Sequence, residues 1–156
     1  MVSTELLRTL PFFAGLSQGQ LDAVAALSKE HNFGPGVTIF QEGQPADKLY
    51  LTLRGSVDLY FSMQGRPKQR VLAGEVDAGM PVGISALIEP HTYMMTAKTA
   101  ADCRMLEMDG ISLRKLFESD TRMGYALMLE IAKASLGRLH LARVQLAREL
   151  EPDLVI

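Results

Sequence analysis

A mainly β fold, an antiparallel jelly roll flanked by a short N-terminal helix and a long C-terminal helix, is the class this sequence predicts. Three observations predict it. Glycine and proline punctuate the middle of the chain, at Gly34-Pro35-Gly36, Gly43, Pro45, Gly55, Gly65-Arg66-Pro67, Gly74, Gly79 and Gly83, and separate short runs rich in Val, Leu, Ile, Tyr and Phe. The pattern Ser17-Gln18-Gly19-Gln20 has the form of a capping box, and apolar residues follow it at helical spacing. Beyond Met108 the glycines thin out, and a heptad-spaced apolar row runs to Leu150.

Taken in order, Leu6, Leu7, Leu10 and Pro11-Phe12-Phe13 form an apolar approach in which Pro11 ends any first helical turn. Leu21, Val24, Ala25 and Leu27 then mark a short amphipathic helix. Residues 36 to 108 read as an antiparallel roll, closed by Ala97 to Met108. Ile111 to Phe117 reads as a short helix, and Thr121 to Leu150 as a long one. Along the latter, Leu129, Ala132, Leu136, Leu139, Arg143, Leu146 and Leu150 alternate steps of three and four, interrupted only by Arg143. A second row, Met123, Leu127, Met128, Ile131 and Ala134, can face the roll. Thirty residues of helix reach about 45 Å, more than one small roll covers. A homodimer through this helix is expected, the alternative being a helix folded back on its own domain.

The 156 residues fit one domain, with a helical approach over 1–32, the β-roll over 33–109 and dimerising helices over 110–150. Sixteen Lys and Arg against eighteen Asp and Glu leave a net charge of −2, with no dense basic run, so direct nucleic-acid binding is not expected. No apolar stretch approaches a membrane span, and Met1-Val2-Ser3-Thr4-Glu5 lacks the form of a signal sequence, so a cytoplasmic protein is expected. The single cysteine, Cys103, reads as a buried strand position. His31, His91 and His140 fall in separate elements without ligand spacing, and no nucleophile elbow or Walker loop occurs; neither a metal site nor an enzyme is expected.

Several local patterns together resemble the cyclic nucleotide-binding domain family, in particular the sensor half of catabolite-activator-like regulators. They are Leu10-Pro11-Phe12-Phe13-Ala14-Gly15-Leu16, the run Phe33-Gly34-Pro35-Gly36 to Gly43, the run Asp47-Lys48-Leu49-Tyr50 to Gly55-Ser56-Val57, and the stretch Gly79 to Thr99. The resemblance covers nearly the whole chain and implies a double-stranded β-helix with a phosphate-binding cassette at 79–99. In such a cassette, backbone N–H groups of a short helix meet the cyclic phosphate, an arginine neutralises it, and a glutamate accepts the ribose hydroxyl.

Here Gly79-Met80-Pro81-Val82-Gly83 matches the approach and Ser85-Ala86-Leu87-Ile88 the short helix, but Ile84 stands at the glutamate position. Ile cannot accept a hydrogen bond, and a buried ribose hydroxyl against it would lose about 1–3 kcal/mol. The arginine position falls on His91 or on Tyr93, depending on where the loop is taken to shorten; the first register puts Thr92 at a phosphate-contacting hydroxyl position. His91, once protonated, would strengthen anion binding at acid pH.

The resemblance thus implies ligand contacts from Gly83, Ile84, Ser85, Ala86, His91, Thr92 and Tyr93, with Ser135 and Arg138 of the long helix reaching over the ligand. Met80, Met94, Met95, Met105 and Met108 read as core filler or as the flexible lining of a pocket for an apolar ligand. The expected function is a stand-alone regulatory module that binds cAMP or cGMP weakly, or another small anion, and signals through a dimer helix. The alternative is a degenerate, non-binding member acting as a protein-interaction or regulatory subunit. Only Glu151 to Ile156 follow the long helix, where activator-like regulators carry a helix-turn-helix, so output through a separate effector protein is expected.

Overall fold

The computed structural model describes residues 1–63 and 66–150; the turn glycine Gly65 and the Glu151 to Ile156 tail lie outside them. In chain order come α1 (Thr4–Arg8), a 3₁₀ turn at Pro11–Phe13 and α2 (Gln18–Ala26). Eight strands follow: β1 (Ser28–Phe33), β2 (Thr38–Phe40), β3 (Lys48–Arg54), β4 (Val57–Met63), β5 (Arg66–Val76), β6 (Pro81–Val82), β7 (Thr96–Thr99) and β8 (Cys103–Asp109). A 3₁₀ helix at Ile84–Leu87 separates β6 from β7, and α3 (Gly110–Ser119) and α4 (Thr121–Glu149) close the chain.

The strands form two four-stranded sheets, ordered β1-β8-β3-β6 and β2-β7-β4-β5, with every neighbour antiparallel. The last two strands lie inside different sheets, β7 between β2 and β4, and β8 between β1 and β3. This is the jelly roll the glycine spacing predicts. Its turns need backbone that side chains resist: Gly55 has φ of 92°, and a Cβ there would lie 2.4 Å from the Asp102 carbonyl oxygen and 2.8 Å from Cys103 Sγ. Cys103 itself is buried, its thiol against the Ser56 carbonyl.

Helix starts follow the expected chemistry. The Ser17 hydroxyl accepts from the Gln20 N–H at 3.3 Å while the Gln20 side chain accepts from the Ser17 N–H at 2.9 Å, a complete capping box for α2. Asp109 caps α3, accepting from the Ser112 N–H at 2.9 Å, and Asp120 caps α4, accepting from the Met123 N–H at 3.1 Å. These caps fix where the roll hands over to the helices.

One boundary differs from the sequence reading. The approach over 1–32 is not helical throughout, because β1 begins at Ser28 and pairs with β8 from Ser28↔Met108 to Phe33↔Cys103. Ser-Lys-Glu-His-Asn has no apolar alternation to betray a strand. Cross-strand charges hold this edge instead, Arg104 to Glu30 at 2.6 Å and His31 to Glu107 at 3.0 Å.

The core joins Leu7, Phe13, Leu21 and Val24 from the N-terminal elements to Leu49, Leu51, Leu106 and Met108 of the sheet and to Leu113, Met123 and Leu127 of α3 and α4, all essentially without exposure. Truncating one of these, such as Leu127→Ala, costs about 2–5 kcal/mol. The two rows of α4 separate as their spacing predicts. Met123, Leu127, Ile131 and Ala134 are buried, whereas Leu129, Leu136, Leu139, Leu146 and Leu150 of the heptad row are exposed, as is Arg143. No helix of the described residues is long and apolar enough to cross a membrane.

Candidate functional site

Among the hydrogen bonds that hold the stretch 79–99 are three from side chains to main-chain carbonyls around its 3₁₀ helix. From within the stretch, the buried Tyr93 hydroxyl donates to the Lys48 carbonyl of β3 at 2.6 Å and accepts from the Lys48 N–H at 3.1 Å. From α3, the Arg114 guanidinium donates to the Ala86 carbonyl. From α4, Arg138 donates to the Pro81 carbonyl, in the strand that leads into the 3₁₀ helix. At the hinge between β6 and that helix Gly83 has φ of 81°, and a Cβ there would meet the Lys48 carbonyl oxygen, Phe40 and Tyr93 at 3.1–3.2 Å. Glycine is required by both the dihedral and the space.

Over this hinge lies a cavity of about 230 Å³. Gly83, Ile84 and Ser85 form its floor, and Ser135 and Arg138 of α4 reach it from the helix side. Phe40, Leu59, Met94 and Met95 complete an otherwise apolar wall. Arg138 is the sole ionisable residue on it among the described residues. Leu59, Met95 and Arg138 also border a larger groove of about 540 Å³ between β5 and the C-terminal half of α4, where Glu75, Asp77 and Arg148 contribute the charges.

Electrostatically the cavity belongs to Arg138. Burial pulls its guanidinium below the usual arginine value, yet an arginine remains charged at any physiological pH. Among the described residues no carboxylate pairs with it; the ion pairs of lysine and arginine are Lys48–Asp109, Arg104–Glu30 and Lys133–Glu130. One N–H is spent on the Pro81 carbonyl, which leaves the other guanidinium donors available. The Ser135 hydroxyl donates to the Ile131 carbonyl at 2.9 Å, so its oxygen can still accept. No group of three or more potential metal-ligating side chains occurs among the described residues.

Of the contacts expected from the sequence, Gly83, Ile84, Ser85, Ser135 and Arg138 come together on this cavity, and Ala86, His91, Thr92 and Tyr93 do not line it. Ala86, within the 3₁₀ helix, is wholly buried. His91, with φ of 55°, belongs to the loop, where its carbonyl accepts from the Ala46 N–H at 2.7 Å. Thr92 forms an isolated antiparallel bridge with Pro45. Tyr93 is a structural residue: its ring stacks on Phe40 with centroids 3.8 Å apart, and burial raises its phenol pKa. Neither reading of the arginine position therefore puts its side chain on the wall; the positive charge on the wall comes from α4.

Phe40 and Leu59 were not singled out from the sequence. The alternation Val57-Asp58-Leu59-Tyr60 would have marked Leu59 as inward-facing. Phe40, at the end of a three-residue strand, leaves no such periodic trace.

The sequence model described as the cyclic nucleotide-binding domain matches residues 30–120. A CRP-like cAMP-activated global transcriptional regulator of Mycobacterium tuberculosis is 29% identical over 125 residues, covering 77% of this chain and 54% of that protein. The CRP-like protein Clp of Xanthomonas oryzae is 26% identical over 139 residues, 85% of this chain and 59% of that one. The chain thus spans a little over half the length of these curated relatives. Among solved structures, a candidate cyclic nucleotide-binding protein of Geobacter metallireducens is 36% identical with a TM-score of 0.79, covering 90% of this chain and 100% of that chain. The regulatory domain of Toxoplasma gondii PKA, solved with cAMP, shares the fold at 22% identity and a TM-score of 0.71, over 85% of this chain and 48% of that chain.

Proposed function

The chain belongs to the cyclic nucleotide-binding domain family, and from that premise we propose that it is a regulatory, non-enzymatic module that senses a small anionic ligand at the Gly83–Arg138 cavity and passes the signal along α4. The observation that carries this reading is the meeting of the 83–85 hinge with Arg138 and Ser135 on one cavity wall. A ligand there touches the roll and the long helix at once, so its binding energy can bias the position of one against the other.

A cyclic nucleotide is a weak ligand in this reading. Ile84 on the floor leaves a ribose hydroxyl without its acceptor, and loss of such a bond costs about 1–3 kcal/mol. Output through the exposed heptad row of α4, as a homodimer, follows from the apolar side chains it leaves in water. The role in a cytoplasmic signalling path and the separate effector belong to the same proposal.

A second reading, a non-binding member that acts through protein contacts, draws on the Tyr93–Phe40 stack that fills the space beside the hinge. A thermal-shift and calorimetric screen with cAMP, cGMP and anionic metabolites at millimolar concentration separates the two. A ligand at about 100 times its Kd adds about 2.7 kcal/mol of stability. Silence across the whole screen would leave only the second reading.

A further inference from the structure

The polar inventory of the cavity is short, and it selects a chemistry. Its wall carries one cation, Arg138, and two hydroxyls, from Ser85 and Ser135, while the rest is backbone and apolar side chain. A dianion such as a phosphate monoester would bring a second negative charge for which the wall has no second cation. A nucleoside brings several hydroxyl and ring groups that need partners, and the residue nearest the hinge, Ile84, offers none.

What matches is one negative charge joined to an apolar body. The guanidinium is fixed in place by its bond to the Pro81 carbonyl, so it meets an incoming planar anion preorganised, with free donors in the fork geometry that carboxylates accept. Phe40, Leu59, Met94 and Met95 offer an apolar surround, and the two thioethers adapt to differing shapes. The size agrees as well. At about 230 Å³ the cavity lies below the roughly 300–1,000 Å³ of pockets for drug-sized molecules.

We infer that this site takes a small organic carboxylate with an apolar body, aliphatic or aromatic, its carboxylate on Arg138 and its body against Leu59 and Met95. This rests on the sensing role proposed above and names the ligand class for the same cavity.

Titration calorimetry with matched probes tests it on the full chain. The probes are hexanoate and 3-phenylpropanoate, their primary amides, acetate and inorganic phosphate as anions without an apolar body, and cAMP. The two apolar carboxylates are expected to bind roughly tenfold to a hundredfold more tightly than their amides or than acetate and phosphate. Arg138→Gln should erase the preference for carboxylate over amide, and Arg138→Lys should keep part of it. Ile84→Glu, which sets a carboxylate beside the guanidinium, should weaken the apolar carboxylates and strengthen cAMP. Equal affinity for carboxylate and amide, or an Arg138→Gln variant that is folded and binds unchanged, would overturn the inference. Tighter binding of cAMP than of either carboxylate in the wild-type chain would overturn it while leaving the sensing role intact. Silence of every probe, together with silence in the wider metabolite screen, would overturn both.

Discussion

The phenol of Tyr93 and the ring of Phe40 lie parallel, 14° apart with centroids at 3.8 Å, beside a hydroxyl that both donates to and accepts from the backbone of Lys48. A loop residue is thereby made part of the core. Tyr93→Phe keeps the stack and removes both hydrogen bonds. Denaturant unfolding should show a loss of about 1–3 kcal/mol, with ligand affinity unchanged, since Tyr93 is off the cavity wall. A loss of binding without loss of stability would return Tyr93 to the ligand.

Gly83 is expected to tolerate no side chain. Gly83→Ala meets an unfavourable dihedral, worth about 1–2 kcal/mol, and crowds the Lys48 carbonyl and the Phe40–Tyr93 stack. Both stability and binding should fall together, as read by a melting curve and a titration on the same sample. Gly74, where an added methyl would meet nothing within 4 Å and φ is not positive, is the control that should stay near wild type.

The Asp109 carboxyl titrates at about 2, below its ordinary value of 3.8, because it accepts from the Ser112 hydroxyl and N–H and then from Lys48. The folded pKa is depressed, so this contribution is complete above about pH 5 and lost as pH falls from about 4 to 2. Stability measured against pH should decline through that window. Asp109→Ala should flatten the decline and cost about 0.5–2 kcal/mol at pH 7, the usual worth of a helix cap. An unchanged slope in the variant would show that other carboxyls govern acid unfolding.

Restoring the family's side chains gives an asymmetric expectation. Ile84→Glu alone should raise cAMP affinity by about tenfold, because position 84 is on the cavity floor. His91→Arg should add little, because position 91 does not line the cavity. A large gain from His91→Arg would mean that the loop folds over the ligand when one is bound, and would revise the wall described for the free chain.

The exposed heptad row predicts self-association. Sedimentation should give a dimer whose population falls with dilution, and Leu136→Glu with Leu146→Glu should give a monomer with an unchanged melting profile for the roll. A monomer for the wild-type chain at every concentration would remove the dimer from the proposed signalling route.

How much of this was legible in the sequence varies with the kind of signal. The roll was, because glycines such as Gly55 and Gly83 mark backbone that no other residue adopts at low cost. The two faces of α4 were, because helical spacing separates Leu127 and Ile131 from Leu136 and Leu146. β1 was not: an edge strand held by Arg104–Glu30 and His31–Glu107 has no apolar period to read. In the site, the hinge residues 83–85 and the helix residues Ser135 and Arg138 were legible through the cassette pattern and the place of the long helix after it. The loop residues 91–93 could not be placed by counting, since a shortened loop has no internal register and only the burial of Tyr93 decides which way it faces.

In the proposed signalling route the bond between Arg138 and the Pro81 carbonyl would serve as a fulcrum. From that point α4 runs on to its cap at Leu150, about 18 Å away at 1.5 Å per residue. A tilt of about 10° around it would carry the far end of the helix sideways by about 3 Å. In the proposed route, displacements at the hinge too small to disturb the packing of the roll would be magnified at the end of the lever, where a neighbouring subunit would feel them as a change of crossing angle.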